Sequence, residues 1–265
     1  MEKANYTREN FRSSLLKQIV VRIDYSEISN FEGLIQAMAP FLKEHFGNRG
    51  KYTTNNINVR IDEKALAGDS LPLSILPSND VYRFSSCKLE PIQNAILDVA
   101  NTFTCLIIDC NEAYDKVDMY LELVSEVMSR IFEFDAYTNI VRVGIRKIDS
   151  KTFDDINAAK EIFENVSESQ IDIPNMSAFQ YRVSSFIVNN ETGLQVNLSR
   201  TYTNTDDQQF QVDLDIDGYI GNPKFLQSIN SRELLSEKLR TINDLLFDIF
   251  KLNVTETFLE NGLIK

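Results

Sequence analysis

The sequence predicts an α+β protein made of two tandem pseudo-repeats, each running strand, helix, several strands, helix, with the helices packed on antiparallel sheet. Three observations predict it. Runs rich in β-branched residues alternate with apolar stripes at three- and four-residue spacing, and this order occurs twice along the chain. The connections between successive strand candidates are short enough for hairpins, Asn189-Asn190-Glu191-Thr192-Gly193 being the best example. A short echo, Tyr82-Arg83-Phe84-Ser85-Ser86 against Tyr181-Arg182-Val183-Ser184-Ser185, falls at the matching place in the two segments. The expected domains are residues 1–136 and 137–265, closely packed with a ligand-sized groove between them.

In the first segment, Ile19-Val20-Val21-Arg22-Ile23-Asp24-Tyr25 reads as a strand. A helix follows, with Phe31, Leu34, Ile35, Met38, Phe41, Leu42 and His45 on one stripe, Asn30 as N-cap, a kink at Pro40 and an end at Gly47. Strands are expected at Ile57 to Asp62, Val81 to Leu89, Ile92 to Asp98 and Phe103 to Cys110, with Asp62 to Asn79 as the longest loop. Val117, Tyr120, Leu121, Val124, Met128 and Ile131 then form the stripe of a second helix. The second segment repeats the order with a strand at Ile140 to Ile148, a helix over Phe153 to Val166, and strands at Gln180 to Val188, Leu194 to Tyr202 and Gln209 to Asp217. Its last helix carries Leu235, Leu239, Ile242, Leu246, Ile249 and Phe250, with Ser231 as N-cap.

Of the 265 residues, 43% are hydrophobic and 25% charged, the composition of a chain with a core and a solvated surface. The 39 acidic residues outweigh 27 basic ones, for a net charge of −12, the wrong sign for a protein whose main partner is nucleic acid. Met1 to Lys17 mixes charges and lacks the apolar stretch of a secretory signal, and no long apolar run suggests a membrane span, so the expected location is the cytoplasm. Three cysteines, Cys87, Cys105 and Cys110, suit reduced, buried thiols better than a disulfide framework.

The catalytic signals are sparse. A single histidine, His45, excludes every mechanism that needs two, and its place in the last turn of an apolar helix stripe gives it a structural role. Cys105 and Cys110 point to opposite faces of an apparent strand, which argues against a zinc pair. Gly47-Asn48-Arg49-Gly50-Lys51 lacks the glycine spacing and the Ser or Thr of a phosphate loop and reads as a helix C-cap and turn. Asp213-Leu214-Asp215-Ile216-Asp217-Gly218 matches the opening of a calcium loop, but the twelfth position is Lys224 where a bidentate Glu belongs. The alternation of Phe210, Val212, Leu214 and Ile216 with polar residues makes it a half-buried strand whose outward Asp213, Asp215 and Asp217 form a solvated or salt-bridged face, one that could also hold magnesium or meet a basic partner. Arg142, Gly144 and Arg146 share one face of another strand. Two roles fit them: an anion or carboxylate site with the glycine leaving room between two guanidinium forks, or cross-strand pairing with acids such as the Asp213 to Asp217 row, the commoner role.

These strands carry a resemblance. Arg142-Val143-Gly144-Ile145-Arg146-Lys147-Ile148-Asp149 resembles the Arg-x-Gly-(Leu/Ile)-Arg-aromatic-(Ile/Val)-(Asn/Asp) strand of a sporadically distributed prokaryotic family of conserved hypothetical proteins, with Lys147 in place of the aromatic residue. Val212 to Asp217 is similar to the family's Asp-rich strand, and Phe247 to Thr255 to its final Phe and Thr helix. The resemblance implies no transferable activity, catalytic residue or cofactor. A patchy distribution implies genes of mobile or defence-associated systems, whose products often act in multi-protein assemblies.

The expected function is therefore that of a non-enzymatic, protein-binding accessory, sensor or antitoxin-like subunit of such a system, in a hetero-complex or homo-oligomer. The alternative is a receptor for a small anionic ligand or nucleotide, with Arg142 and Arg146 holding the anion. A second alternative is a metal-dependent nuclease or phosphotransferase using Asp213, Asp215 and Asp217.

Overall fold

A computed structural model describes residues 3, 6–7, 15–54, 79–88, 94–110, 117–166, 180–204 and 209–263. The chain runs β1 (Leu16–Tyr25), α1 (Phe31–His45), β2 (Phe46–Thr54), β3 (Asn79–Cys87), β4 (Ala95–Ala100), β5 (Phe103–Asp109), α2 (Asp118–Phe134), β6 (Ile140–Phe153), α3 (Ile156–Lys160), β7 (Gln180–Val188), β8 (Leu194–Asn204), β9 (Phe210–Ile220), α4 (Arg232–Asn253) and α5 (Glu256–Asn261). All nine strands join one antiparallel sheet in the order β2-β3-β4-β5-β1-β6-β9-β8-β7.

This architecture corrects the expectation of two tandem pseudo-repeats. The described strands form a single continuous sheet, and among the described residues no repeated strand-helix unit is evident. Where a groove was expected between two halves, β1 and β6 lie side by side, Ile19, Val21 and Ile23 opposite Lys147, Ile145 and Val143. The helix expected over Phe153 to Val166 shrinks to the single short α3, because β6 continues to Phe153 and the chain beyond α3 is drawn into a bridge between Phe163 and Val254. The echoed pentapeptides are not equivalent either: Arg83 sits in β3, flanked by two strands, and Arg182 in β7 at the sheet's edge.

A second difference concerns Gly47 to Lys51. This stretch is strand, paired from Asn48 opposite Ser85 to Lys51 opposite Tyr82, and α1 passes directly into β2. Phe46 is buried against Phe84, and Lys88 N donates to the His45 carbonyl at 2.8 Å, so side-chain burial and a backbone bond replace the glycine cap. The α1 helix also runs unbroken past Pro40. The strand expected at Ile57 to Asp62, and nearly all of the Asp62 to Asn79 loop, lie outside the described residues.

The sheet has two unlike faces. One is covered by α1, α2 and α4, whose buried stripes meet alternate residues of the strands: Ile19, Val21 and Ile23 of β1, Val143 and Ile145 of β6, and Val212, Leu214 and Ile216 of β9. The caps anticipated from the sequence hold these helices in place, with Asn30 Oδ1 accepting from Gly33 N at 3.2 Å and Ser231 Oγ from Leu234 N at 3.4 Å. On the outer surface of the helix layer Glu122 ties α2 to α4, accepting from Ser236 Oγ at 2.9 Å, from Arg232 at 3.3 Å and from Arg240.

Two charged residues of β6 interrupt the apolar layer. Lys147 is buried, and its Nζ lies 3.5 Å from the Asn243 carbonyl of α4. Asp149, two residues on, is 3% exposed, and burial pushes its carboxyl up to about 7 against a smaller opposing pull from Lys147. In the folded chain this carboxyl holds its proton to near neutrality, whereas in the unfolded chain it ionises near pH 4. Folding therefore loses stability as pH rises from about 4 to about 7, with the full penalty present above that range. Asp149→Asn removes the titration. The variant is expected to gain on the wild type by up to about 1.4 kcal/mol per pH unit across this window, read from urea unfolding at pH 4.5 and pH 7.5. A difference that does not change with pH would show that Asp149 is ionised in both states.

Candidate functional site

The other face of the sheet carries the residues singled out for chemistry. Partners in an antiparallel ladder share a face, so the register alone brings the two candidate sets together. Arg142 of β6 lies opposite Asp24 of β1, Gly144 opposite Arg22, and Arg146 opposite Val20. On its other side, β6 sets Gly144 beside Tyr219 and Arg146 beside Asp217 of β9, with Ile148 beside Asp215 and Ser150 beside Asp213. Asp217, Asp215 and Asp213 then face Asn197, Ser199 and Thr201 of β8, and these in turn face Phe186, Ser184 and Arg182 of β7.

Side chains on this face are paired along diagonals. Arg146 makes a two-pronged contact with Asp215, Nε to Oδ1 at 2.8 Å and Nη2 to Oδ2 at 2.7 Å, and those bonds raise the already high pKa of its guanidinium. Arg142 lies between two carboxylates, 3.5 Å from Asp217 Oδ2 and 3.8 Å from Asp24 Oδ2, with its guanidinium 4.4 Å from the centre of the Tyr219 ring. Arg22 donates to Asp24 at 2.8 Å and lies over Phe103. Asp213 accepts from Ser150 Oγ at 2.5 Å and from Gln211 Nε2 at 2.8 Å. The three aspartates thus stand in a row on β9 with donors of their own, and among the described residues no group of three His, Cys, Asp or Glu side chains is gathered as a metal would require.

Gly144 has a structural explanation. A Cβ there would come within 3.0 Å of Tyr219 Cβ and 3.2 Å of the Gly218 carbonyl. The space between Arg142 and Arg146 is needed by the neighbouring strand, whose Tyr219 carries the Arg142 guanidinium on its ring. The commoner of the two roles set out for these arginines, cross-strand pairing with the aspartate row, accounts for Arg142 and Arg146 as they stand.

Sequence reasoning passed over two features of this face. The first is a cluster near the β2 edge: buried Asp98 accepts Nε and Nη2 of Arg83 at 2.8 and 2.7 Å and Tyr52 Oη at 2.8 Å. Its members lie 46 residues apart at the extremes, so only the register β2-β3-β4 discloses it. The second is a shallow depression of 560 Å³ near the opposite edge, lined by Arg146, Arg182, Ser184, Phe186, Ser199 and Asp215. Arg182 donates there to Ser199 Oγ. A signal for this edge was present, since Val183 and Phe186-Ile187-Val188 put apolar side chains on both faces of one strand. In β7 they are exposed on both: Val183 by 53%, Phe186 by 59%, Ile187 by 42% and Val188 by 48%.

The conventional nucleophiles and bases stand apart from this face or are muted. His45 Nδ1 lies 3.1 Å from the Phe41 carbonyl in its own helix, and its ring packs on that of Phe41. Burial pushes the Cys105 thiol up to about 11 and the Cys110 thiol up to about 12, and Cys87 is buried in the core. No described helix is long and apolar enough to cross a membrane. Comparison with protein-family models, with curated proteins and with solved structures finds no match.

Two experiments test the reading of this face as a set of occupied cross-strand pairs. Gly144→Ala is expected to cost about 1–3 kcal/mol in urea unfolding, because the added methyl overpacks against Tyr219. A double-mutant cycle of Arg146→Ala with Asp215→Ala is expected to give a coupling of about 0.2–1 kcal/mol that shrinks in molar salt, since the Arg146 side chain is nearly half exposed. Zero coupling at low salt would mean that the pair is not held in solution.

Proposed function

We propose that this chain is a non-enzymatic protein-binding subunit, an accessory, sensor or antitoxin-like component of a multi-protein prokaryotic system, and that it makes contact through β7. The observation that carries this reading is the exposure of β7 on both faces at the rim of a sheet that is otherwise covered on one side and ion-paired on the other. An unprotected apolar edge strand is costly to keep in water and invites a further strand. Monomers usually blunt such edges with charge. The other rim of the described sheet is blunted: β2 carries Arg49 and Lys51, with Gly47, Asn48 and Gly50 beside them.

The state of the polar face supports the same reading. Asp215 engages two of the five donors of Arg146 and answers its charge, so an anionic ligand there would compete with a carboxylate already in place. The three aspartates likewise already accept from Ser150, Gln211 and the two arginines, whose charges would repel a metal ion. A neutralised, hydrogen-bonded face beside an open apolar rim suits association with protein better than turnover of a substrate.

Native mass spectrometry of the tagged chain recovered from its own host tests this reading, with the wild type run beside Val183→Lys/Ile187→Lys. The expected result is a stoichiometric second polypeptide on the wild type and its loss from the variant. A wild-type chain recovered bare, or carrying only an added mass of a few hundred daltons, would overturn it.

A further inference from the structure

We infer that the polypeptide that pairs with β7 is a second copy of this chain, added antiparallel across a twofold axis so that the two sheets become one. The inference rests on the reading of β7 as the contact strand and names its occupant.

The backbone at this rim is set out for a strand. Asn189 N donates to the Leu194 carbonyl at 2.8 Å, so Asn189 and every second residue before it direct their peptide groups toward β8. The alternate residues, Gln180, Arg182, Ser184, Phe186 and Val188, direct theirs outward, on the side where the sheet order ends. Among the described residues no strand pairs with this row, and a row of outward N–H and C=O groups is the template for β-augmentation.

Charge and side-chain pattern identify the occupant. From Gln180 to Gly193 the only charges are Arg182, early in the strand, and Glu191, in the hairpin beyond its end. Antiparallel self-pairing carries each Arg182 toward the end where the other copy's Glu191 lies, and keeps the two arginines apart. The segment is otherwise uncharged, so the net −12 of each chain is not concentrated at the contact. One register also matches apolar residues. With Ser185 opposite its own symmetry mate, Val183 faces Ile187 and Val188 faces the stem of Arg182, while Arg182 with Val188 and Ser184 with Phe186 exchange the backbone bonds. The contact is isologous and closes, so it yields a dimer and not a fibre.

Sedimentation of the purified chain from micromolar to submillimolar concentration is the test, with two variants. The wild type is expected to approach twice the 30.4 kDa chain mass, and Ile187→Lys to remain at one chain mass with an unchanged circular dichroism spectrum, since Ile187 is already exposed. Ser185→Cys is expected to lock the dimer under mild oxidation, because facing residues of a non-hydrogen-bonded pair come within disulfide reach. The raised pKa values of Cys105 and Cys110 and the burial of Cys87 keep the native thiols out of that reaction. A wild type that stays at one chain mass, a dimer indifferent to Ile187→Lys, or a dimer that Ser185→Cys cannot lock would each overturn self-pairing. A purified monomer that nonetheless carries a different polypeptide at β7 when recovered from its host would end this inference and leave the protein-binding reading standing.

Discussion

The pairing of β1 with β6 is the constraint on which the rest of this structure depends. These two strands are far apart in sequence and adjacent at the middle of the sheet, with β5-β4-β3-β2 extending one way and β9-β8-β7 the other. Their ladder also sets the face of every neighbour, because a slip of one residue would turn Ile19, Val21 and Ile23 to the polar side and Arg22 and Asp24 into the core. Closing so long a loop is entropically unfavourable, and what offsets it is the burial of two apolar rows beneath α2 and α4 at once.

The same register builds the charged face. Arginines and aspartates on β1, β6 and β9 are brought side by side, where partly exposed pairs add little to stability but strongly disfavour shifted registers that would oppose like charges. Tyr219 and Phe103 lie under Arg142 and Arg22, each guanidinium carbon 4.4 Å from the ring centre. The outcome is a face on which each of these charges is answered by a neighbour.

The buried polar residues of β6 lie on the opposite side of the same strand. Lys147 and Asp149 reach the apolar layer because their neighbours Arg146 and Ile148 point outward, and alternation leaves them no other direction. Lys147 reaches the Asn243 carbonyl at the cost of burying an ammonium group, and Asp149 avoids a buried charge by holding its proton. At this point the strand's period and the chemistry of its residues conflict, and a shifted pKa is the result.

What the sequence by itself determined is local. The stripes of α1, α2 and α4, the caps at Asn30 and Ser231, the hairpin between β7 and β8 and the alternation of β9 all follow from spacing and side-chain chemistry within a few residues. The role of the aspartate row as a strand face was legible for the same reason, since a period of two is visible without a partner. What only the tertiary structure decided is adjacency. A repeated order of elements is compatible with two packed units or with one sheet, and the choice lies in the β1–β6 ladder, whose strands are separated by more than a hundred residues. That Gly144 makes room for Tyr219, that Arg83 meets Asp98 and Tyr52, and that β7 ends the sheet are likewise facts of register between distant strands. The physical reason is that strand pairing joins backbone groups common to every residue, so the chain's local pattern says which segments become strands, and only their collective packing says which strands become neighbours.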